Sequence, residues 1–73
     1  MAKIIIGKCL LLDILKLRGM TQVDLHIATG ISRSQINEYI KLSRIMSLPN
    51  AIIIANALRC SVTDLYEFRI LMK

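Results

Sequence analysis

Aromatic residues are nearly missing from this 73-residue chain: two tyrosines, one phenylalanine and no tryptophan make up 4% of it. Because 55% of the residues are nonetheless hydrophobic, a core has to be assembled from Ile, Leu, Val, Met and Ala, a composition that favours packed helices. Cysteine occurs twice, at Cys9 and Cys60, and histidine once, at His26. Two distant thiols and one imidazole provide neither a disulfide framework nor a tetrahedral metal set, and both thiols are expected to be reduced and buried. Pro49 and three glycines are the only strong punctuation, so no linker, repeat or low-complexity stretch divides the chain. Long apolar runs are missing as well. Cys9–Leu12 and Ala51–Leu58 fall far short of the ~18–20 residues that a membrane span needs. The lysines and isoleucines of Met1–Lys8 lead into a segment broken by Asp13 and Lys16, with no small-residue cleavage site, which makes a poor signal peptide and places the chain in the cytoplasm. No paired carboxylate, phosphate-cradling glycine loop or metal spacing accompanies His26. No enzyme, cofactor or small-molecule ligand is therefore inferred.

Acidic residues are also few: five, against ten Lys and Arg, for a net charge of +5 and a pI of about 9.7. On so small a surface that excess attracts polyanions, although a charge of this size is also ordinary for a small soluble domain. The length allows one domain, residues 1–73, with one small core.

Capping residues mark the elements. Thr21 has Asp24 three residues on, and Met20 and Leu25 stand ready to form a hydrophobic staple around that pair. Ser32 with Gln35, flanked by Ile31 and Ile36, repeats the device, and Ser61 with Asp64, flanked by Cys60 and Leu65, repeats it again. Ser47 before Leu48-Pro49 is a weaker start, with proline tolerated where its missing amide would be unpaired anyway. With a first helix from about Lys8 to Arg18, closed by Gly19, the reading is an all-α domain of five short helices. Helical spacing assigns Leu11, Ile14 and Leu15, Leu25 and Ala28, Ile36, Tyr39 and Ile40, Ile54, Ala55 and Leu58, and Leu65 and Phe68 to the core. The β-branched run Lys3–Ile6 stays open between a helical extension and a strand pairing with a second copy. Leu10, Leu12 and Leu17 point away from the core face of the first helix. The surplus apolar surface is assigned to a homodimer.

Thr29, Gly30, Ile31 and Ser32 make a short corner between helices two and three, a helix-turn-helix. The stretch MTQVDLHIATGISRSQINEY, followed by SLPNAIIIANALRCSVTDLYEF, resembles the Cro and cI-type helix-turn-helix family of phage repressors and bacterial transcriptional regulators. Thr21-Gln22, Leu25, Gly30-Ile31-Ser32, Ile36, Tyr39, Ile54-Ala55, Ala57-Leu58, Ser61 and Asp64-Leu65 all fall in register, over residues from about 8 to 68. The resemblance implies a small five-helix, lambda-repressor-like domain that binds double-stranded DNA at the nucleoid, its third helix in the major groove and its second across the backbone. The candidate DNA-binding residues are Gln22, Ser32, Arg33, Ser34, Gln35, Asn37, Glu38, Lys41, Ser43 and Arg44. By its chemistry, Arg33 suits guanine O6 and N7 or a phosphate, and Ser34 either a base or a phosphate. Glu38 either accepts from cytosine N4, or is simply exposed or paired with Arg33 or Lys41. Lys41, Ser43 and Arg44 suit phosphates. In the family the residue at Gln22 bonds a phosphate and braces the recognition helix.

Several positions depart from the family pattern. Its usual Glu, Gly and Pro after helix three are here Ile40, Leu42 and Met46, and the first-helix arginine that pairs with that glutamate is Leu15. Apolar replacement of both ends of an ion pair is tolerated where loss of one end strands a charge, so Leu15 and Ile40 are expected to touch. Without glycine at position 42, helix three is expected to run on by a turn or to end without a Schellman motif. His26 takes the place of an alanine, where a neutral imidazole satisfied by a backbone carbonyl is expected. Two functions follow: a dimeric, sequence-specific DNA-binding repressor, or a protein-binding adaptor or antirepressor that uses the apolar loop after helix three and the first helix and has weak DNA affinity.

Overall fold

The computed structural model of the chain describes residues 2–72. Its elements run β1 (Lys3–Cys9), α1 (Leu11–Leu17), α2 (Gln22–Thr29), α3 (Arg33–Ile40), α4 (Leu48–Leu58), a 3-10 turn at Val62–Asp64 and β2 (Tyr66–Leu71). The fold is therefore α+β, with four helices and one two-stranded antiparallel sheet among the described residues, and the all-α, five-helix expectation is overturned. The reason lies at the two ends. Ser61 and Asp64 do form a cap, with the Ser61 amide donating to the Asp64 carboxylate at 2.9 Å. It closes only three residues of 3-10 turn, because the chain beyond it is drawn into pairing with β1. The first helix likewise starts at Leu11, since Lys8 and Cys9 belong to β1. The isoleucine run is a strand, but its partner is the chain's own β2 and not a second copy.

The register places Ile4 opposite Ile70, Ile5 opposite Arg69, Ile6 opposite Phe68 and Cys9 opposite Tyr66. Between the last two pairs β1 spends one residue more than β2, a bulge at Gly7-Lys8. Glycine suits the close approach there: a Cβ on Gly7 would lie 3.3 Å from Cβ of Glu67, a tight contact that the Glu67 side chain would have to give way to. The Lys8 amide donates to Oε1 of Glu67 at 3.3 Å. Apart from Cys9 and the half-buried Tyr66, every strand residue is exposed, so the sheet stands off the helical core. A backbone bond from the Leu10 amide to the Leu65 carbonyl, 2.8 Å, ties its base to that core.

The core is one cluster: Leu11 and Leu15 from α1, Leu25 from α2, Ile36 and Tyr39 from α3, four residues of α4 from Ala51 to Leu58, and Cys9, Ile31, Met46 and Leu65 from the connections. Leu15 and the half-buried Ile40 both reach it, so both ends of the replaced ion pair lie on apolar ground. Two expected core residues do not. Ala28 is exposed, and Phe68, carried away on β2, is 41% exposed. Leu17 is exposed too, which leaves α1 buried on one face within the chain. Cys9 is buried as expected, whereas Cys60 is only half-buried, and both are free thiols.

Candidate nucleic-acid interface

Two helices and their corner carry the candidate residues, and local bonds fix how the corner turns. Thr21 and Asp24 form a full capping box: Oγ1 of Thr21 accepts from the Asp24 amide at 3.1 Å, and the Asp24 carboxylate accepts from the Thr21 amide at 2.9 Å. At the other end α2 stops on Gly30, whose φ of +76° is a left-handed conformation open to glycine. Its amide still reaches the His26 carbonyl at 2.9 Å. Around this glycine the side chains of α2 grip the next residue. Nδ1 of His26 lies 2.7 Å from the Ile31 carbonyl, which can only accept, so that nitrogen carries the proton. Oγ1 of Thr29 donates to the Leu25 carbonyl at 2.7 Å and accepts from the Ile31 amide at 3.2 Å. Ile31 is thereby pushed into the core, 6% exposed. The bulk of His26, where the family has alanine, is used to brace the corner.

Ser32 then caps α3, with its Oγ accepting from the Gln35 amide at 3.1 Å. Only half of the expected box forms, so the Gln35 carboxamide stays available at the surface. Ile36, wholly buried, and Tyr39, 2% exposed, lock the inner face. The Tyr39 hydroxyl accepts from Nδ2 of Asn50 at 2.9 Å, which fastens α3 to the first turn of α4. On the outer face Ser32, Arg33, Ser34 and Asn37 are exposed, and Gln35 and Glu38 are half-buried. Gln22, half-buried at the start of α2, makes no side-chain hydrogen bond to another described residue.

The end of α3 differs from expectation. It neither runs on nor lacks a Schellman motif: the Leu42 amide reaches the Tyr39 carbonyl at 3.2 Å and the Ser43 amide reaches the Glu38 carbonyl at 3.1 Å. Leu42 adopts φ +61° to do so, a left-handed leucine in the place of the family's glycine. Folding the chain back in this way delivers Arg44, rather than Arg33 or Lys41, to Glu38. The ion pair closes at 2.9 Å between Nε and Oε2. Oγ of Ser43 donates to the Glu38 carbonyl at 3.3 Å. Beyond this turn Met46 is buried and its amide donates to the Tyr66 hydroxyl at 3.1 Å, so the loop is anchored to the base of β2.

The resulting edge carries Arg33, Lys41 and Arg44 against the single carboxylate of Glu38. The structure brings together every candidate from Ser32 to Arg44 along one helix and its closing turn, with Gln22 set apart on α2. Sequence reasoning overlooked Arg18. Its Nε donates to the Leu58 carbonyl at 2.8 Å and its Nη2 to the Arg59 carbonyl at 3.2 Å, so a cation closes the negative end of α4. The available signal was a basic residue just before Gly19, a placement shared by many surface arginines.

A half-bare helix, held by its other face and introduced by a braced corner, defines a helix-turn-helix DNA-binding domain. The family model for the Cro/C1-type HTH DNA-binding domain matches residues 11–69, and the chain belongs to that family. It is similar to the SPbeta prophage-derived uncharacterized HTH-type transcriptional regulator YopS of Bacillus subtilis (strain 168), at 39% identity over 71 residues, 96% of each chain. This is a DNA-binding regulator and not an enzyme. Among the described residues no helix is long and apolar enough to cross a membrane.

Proposed function

We propose that the chain is a Cro/cI-like transcriptional repressor that occupies an operator as a dimer, with α3 in the major groove. The observation that carries this reading is the division of α3. Ile36 and Tyr39 anchor it, while Arg33, Ser34 and Asn37 stand exposed and make no side-chain bond to other described residues. Arg33, in the first turn, is the side chain suited to guanine O6 and N7, and Asn37, one turn on, to adenine. Ser32 has accepted one bond with its oxygen but keeps its hydroxyl proton for a phosphate. Ser43 has given that proton to the Glu38 carbonyl, so it contacts a phosphate only by surrendering the bond. Lys41, Arg44 and Gln22 supply the remaining backbone contacts. The prophage origin of the relative supports a role in phage gene control. A dimer would bind half-sites about 34–36 Å apart.

Selection of bound sites from a random DNA pool tests this reading, and an inverted repeat is expected. Arg33→Ala should then cost roughly 1–3 kcal/mol on the selected site and relax one base position. An equal loss on every sequence would reassign Arg33 to phosphate. Binding should also weaken steeply with salt.

One observation favours a second reading, the adaptor or antirepressor. Leu42, Ile45, Leu48 and Ile52 are between 40% and 67% exposed on and after the turn that closes α3. Absence of DNA binding at low salt would favour it.

A further inference from the structure

Glu38 stands near the middle of the outer face of α3. At about 100° per residue it lies roughly 200° round the helix from the buried Ile36, and one turn beyond Ser34. A carboxylate is out of keeping with a surface turned to phosphates, which it would repel if left unpaired. Yet the turn after α3 is built around this residue. Its carbonyl accepts from the Ser43 amide at 3.1 Å, from the Arg44 amide at 3.4 Å and from Oγ of Ser43 at 3.3 Å. Its carboxylate accepts from Nε of Arg44 at 2.9 Å through Oε2. Oε1 of Glu38 and both Nη nitrogens of Arg44 bond to no other described residue.

We propose that Glu38 is a specificity-determining residue that selects cytosine, and that Arg44 is its positioning residue. The inference rests on the DNA-binding reading above and deepens it. The chemistry of the groove picks the base. An ionised glutamate only accepts, and the donors on the major-groove edge are N4 of cytosine and N6 of adenine. Adenine sets the acceptor N7 beside its donor, where it repels a carboxylate, whereas cytosine offers its donor without a neighbouring acceptor on the same base. Arg44 makes the contact possible in two ways. Its Nε occupies Oε2 with a charge-assisted bond, which offsets the carboxylate's charge and leaves Oε1 to the base. Its Nη donors are left for a phosphate, so one guanidinium ties the base reader to the DNA backbone. The left-handed Leu42 turns the chain so that this pair closes. An ion pair as exposed as this one adds little to folding, so either partner can be replaced in a folded protein.

Selection of bound sites from a random DNA pool, run side by side for the wild type and its variants, tests this. The wild type is expected to require cytosine at one position of the site, and any other base there should weaken binding about tenfold. Glu38→Gln should change that base to adenine, because a carboxamide donates to N7 while it accepts from N6. Glu38→Ala should leave the position undefined. Arg44→Met should shrink the preference for cytosine to less than about threefold while the other positions keep theirs. A site in which no base answers to Glu38→Gln overturns the proposal and leaves the repressor reading standing. Tighter binding of Glu38→Gln to every sequence alike does the same, being the mark of a carboxylate that only repels. A loss in Arg44→Met that is equal on all sequences makes Arg44 a phosphate contact alone and overturns its positioning role. No bound site even at low salt defeats the repressor reading and this one together.

Discussion

Leu42 shows how a single side chain can be held in a costly conformation by bonds around it. Left-handed backbone costs a non-glycine residue about 1–2 kcal/mol, and Leu42 accepts it so that two carbonyls of α3 are satisfied and Arg44 reaches Glu38. Leu42→Gly removes the strain but gives freedom back to the unfolded chain, and a net gain of roughly 0.5–1 kcal/mol is expected in urea unfolding. Arg18 shows the converse. Its guanidinium caps two carbonyls at the end of α4 from an exposed position, so Arg18→Met should lower the stability by roughly 1 kcal/mol, read as a lower denaturant midpoint at unchanged slope. Residues of this kind escape sequence reading, because neither the conformation of Leu42 nor the target of Arg18 is local.

At the scale of elements, the corner between α2 and α3 depends on Gly30. Beyond its chain neighbours, nothing lies within 4 Å of the place where its Cβ would be, so the cost of Gly30→Ala is conformational alone, roughly 1 kcal/mol. The same change should weaken DNA binding by less than Arg33→Ala, since the corner aims the helix but does not touch bases, and a filter-binding titration of both variants compares them. These elements were legible. Thr21, Ser32 and Ser47 each cap a helix where capping chemistry put it, and Leu25, Ile36 and Tyr39 are buried where a period of 3.6 residues put them. The candidate edge from Ser32 to Arg44 came from the resemblance to the helix-turn-helix family, with the spacing supplying only its outward face. The sheet was not legible. Its strands lie some sixty residues apart in the chain, and Ser61 with Asp64 reads the same whether it opens a helix or one 3-10 turn. Only the match of Ile4-Ile5-Ile6 to Phe68-Arg69-Ile70 across that distance decides, and a local pattern cannot contain it.

For the molecule as a whole, alkaline pH is the vulnerable side. Burial pushes the Cys9 thiol above its ordinary 9.0, against a smaller opposing effect of a backbone bond at Leu11. Burial also raises Cys60, helped by the Asp64 carboxylate and opposed by Arg18. The Tyr66 hydroxyl is raised by burial, against the bond it accepts from Met46, with Cys9 and Tyr39 adding smaller upward effects. Each group is neutral when folded at a pH where the unfolded chain would ionise it. The folded state binds more protons, and its stability falls as pH rises. Stability contributed by these groups should be full below about pH 9 and should fall above it, and thermal melts between pH 7 and 11 should show Tm dropping on the alkaline side.

The pairing of Lys3 with Leu71 has a consequence for biosynthesis. β1 precedes the four helices in the chain and its mate follows them, so a ribosome must translate the whole helical region while Ile4, Ile5 and Ile6 have no ladder to join. Nascent chains carrying such an unsatisfied strand are prone to cluster, and the flanking Lys3 and Lys8 stand where charge discourages that. The helices can settle beforehand, whereas the sheet closes only after synthesis has reached Leu71, which makes it the late event of folding.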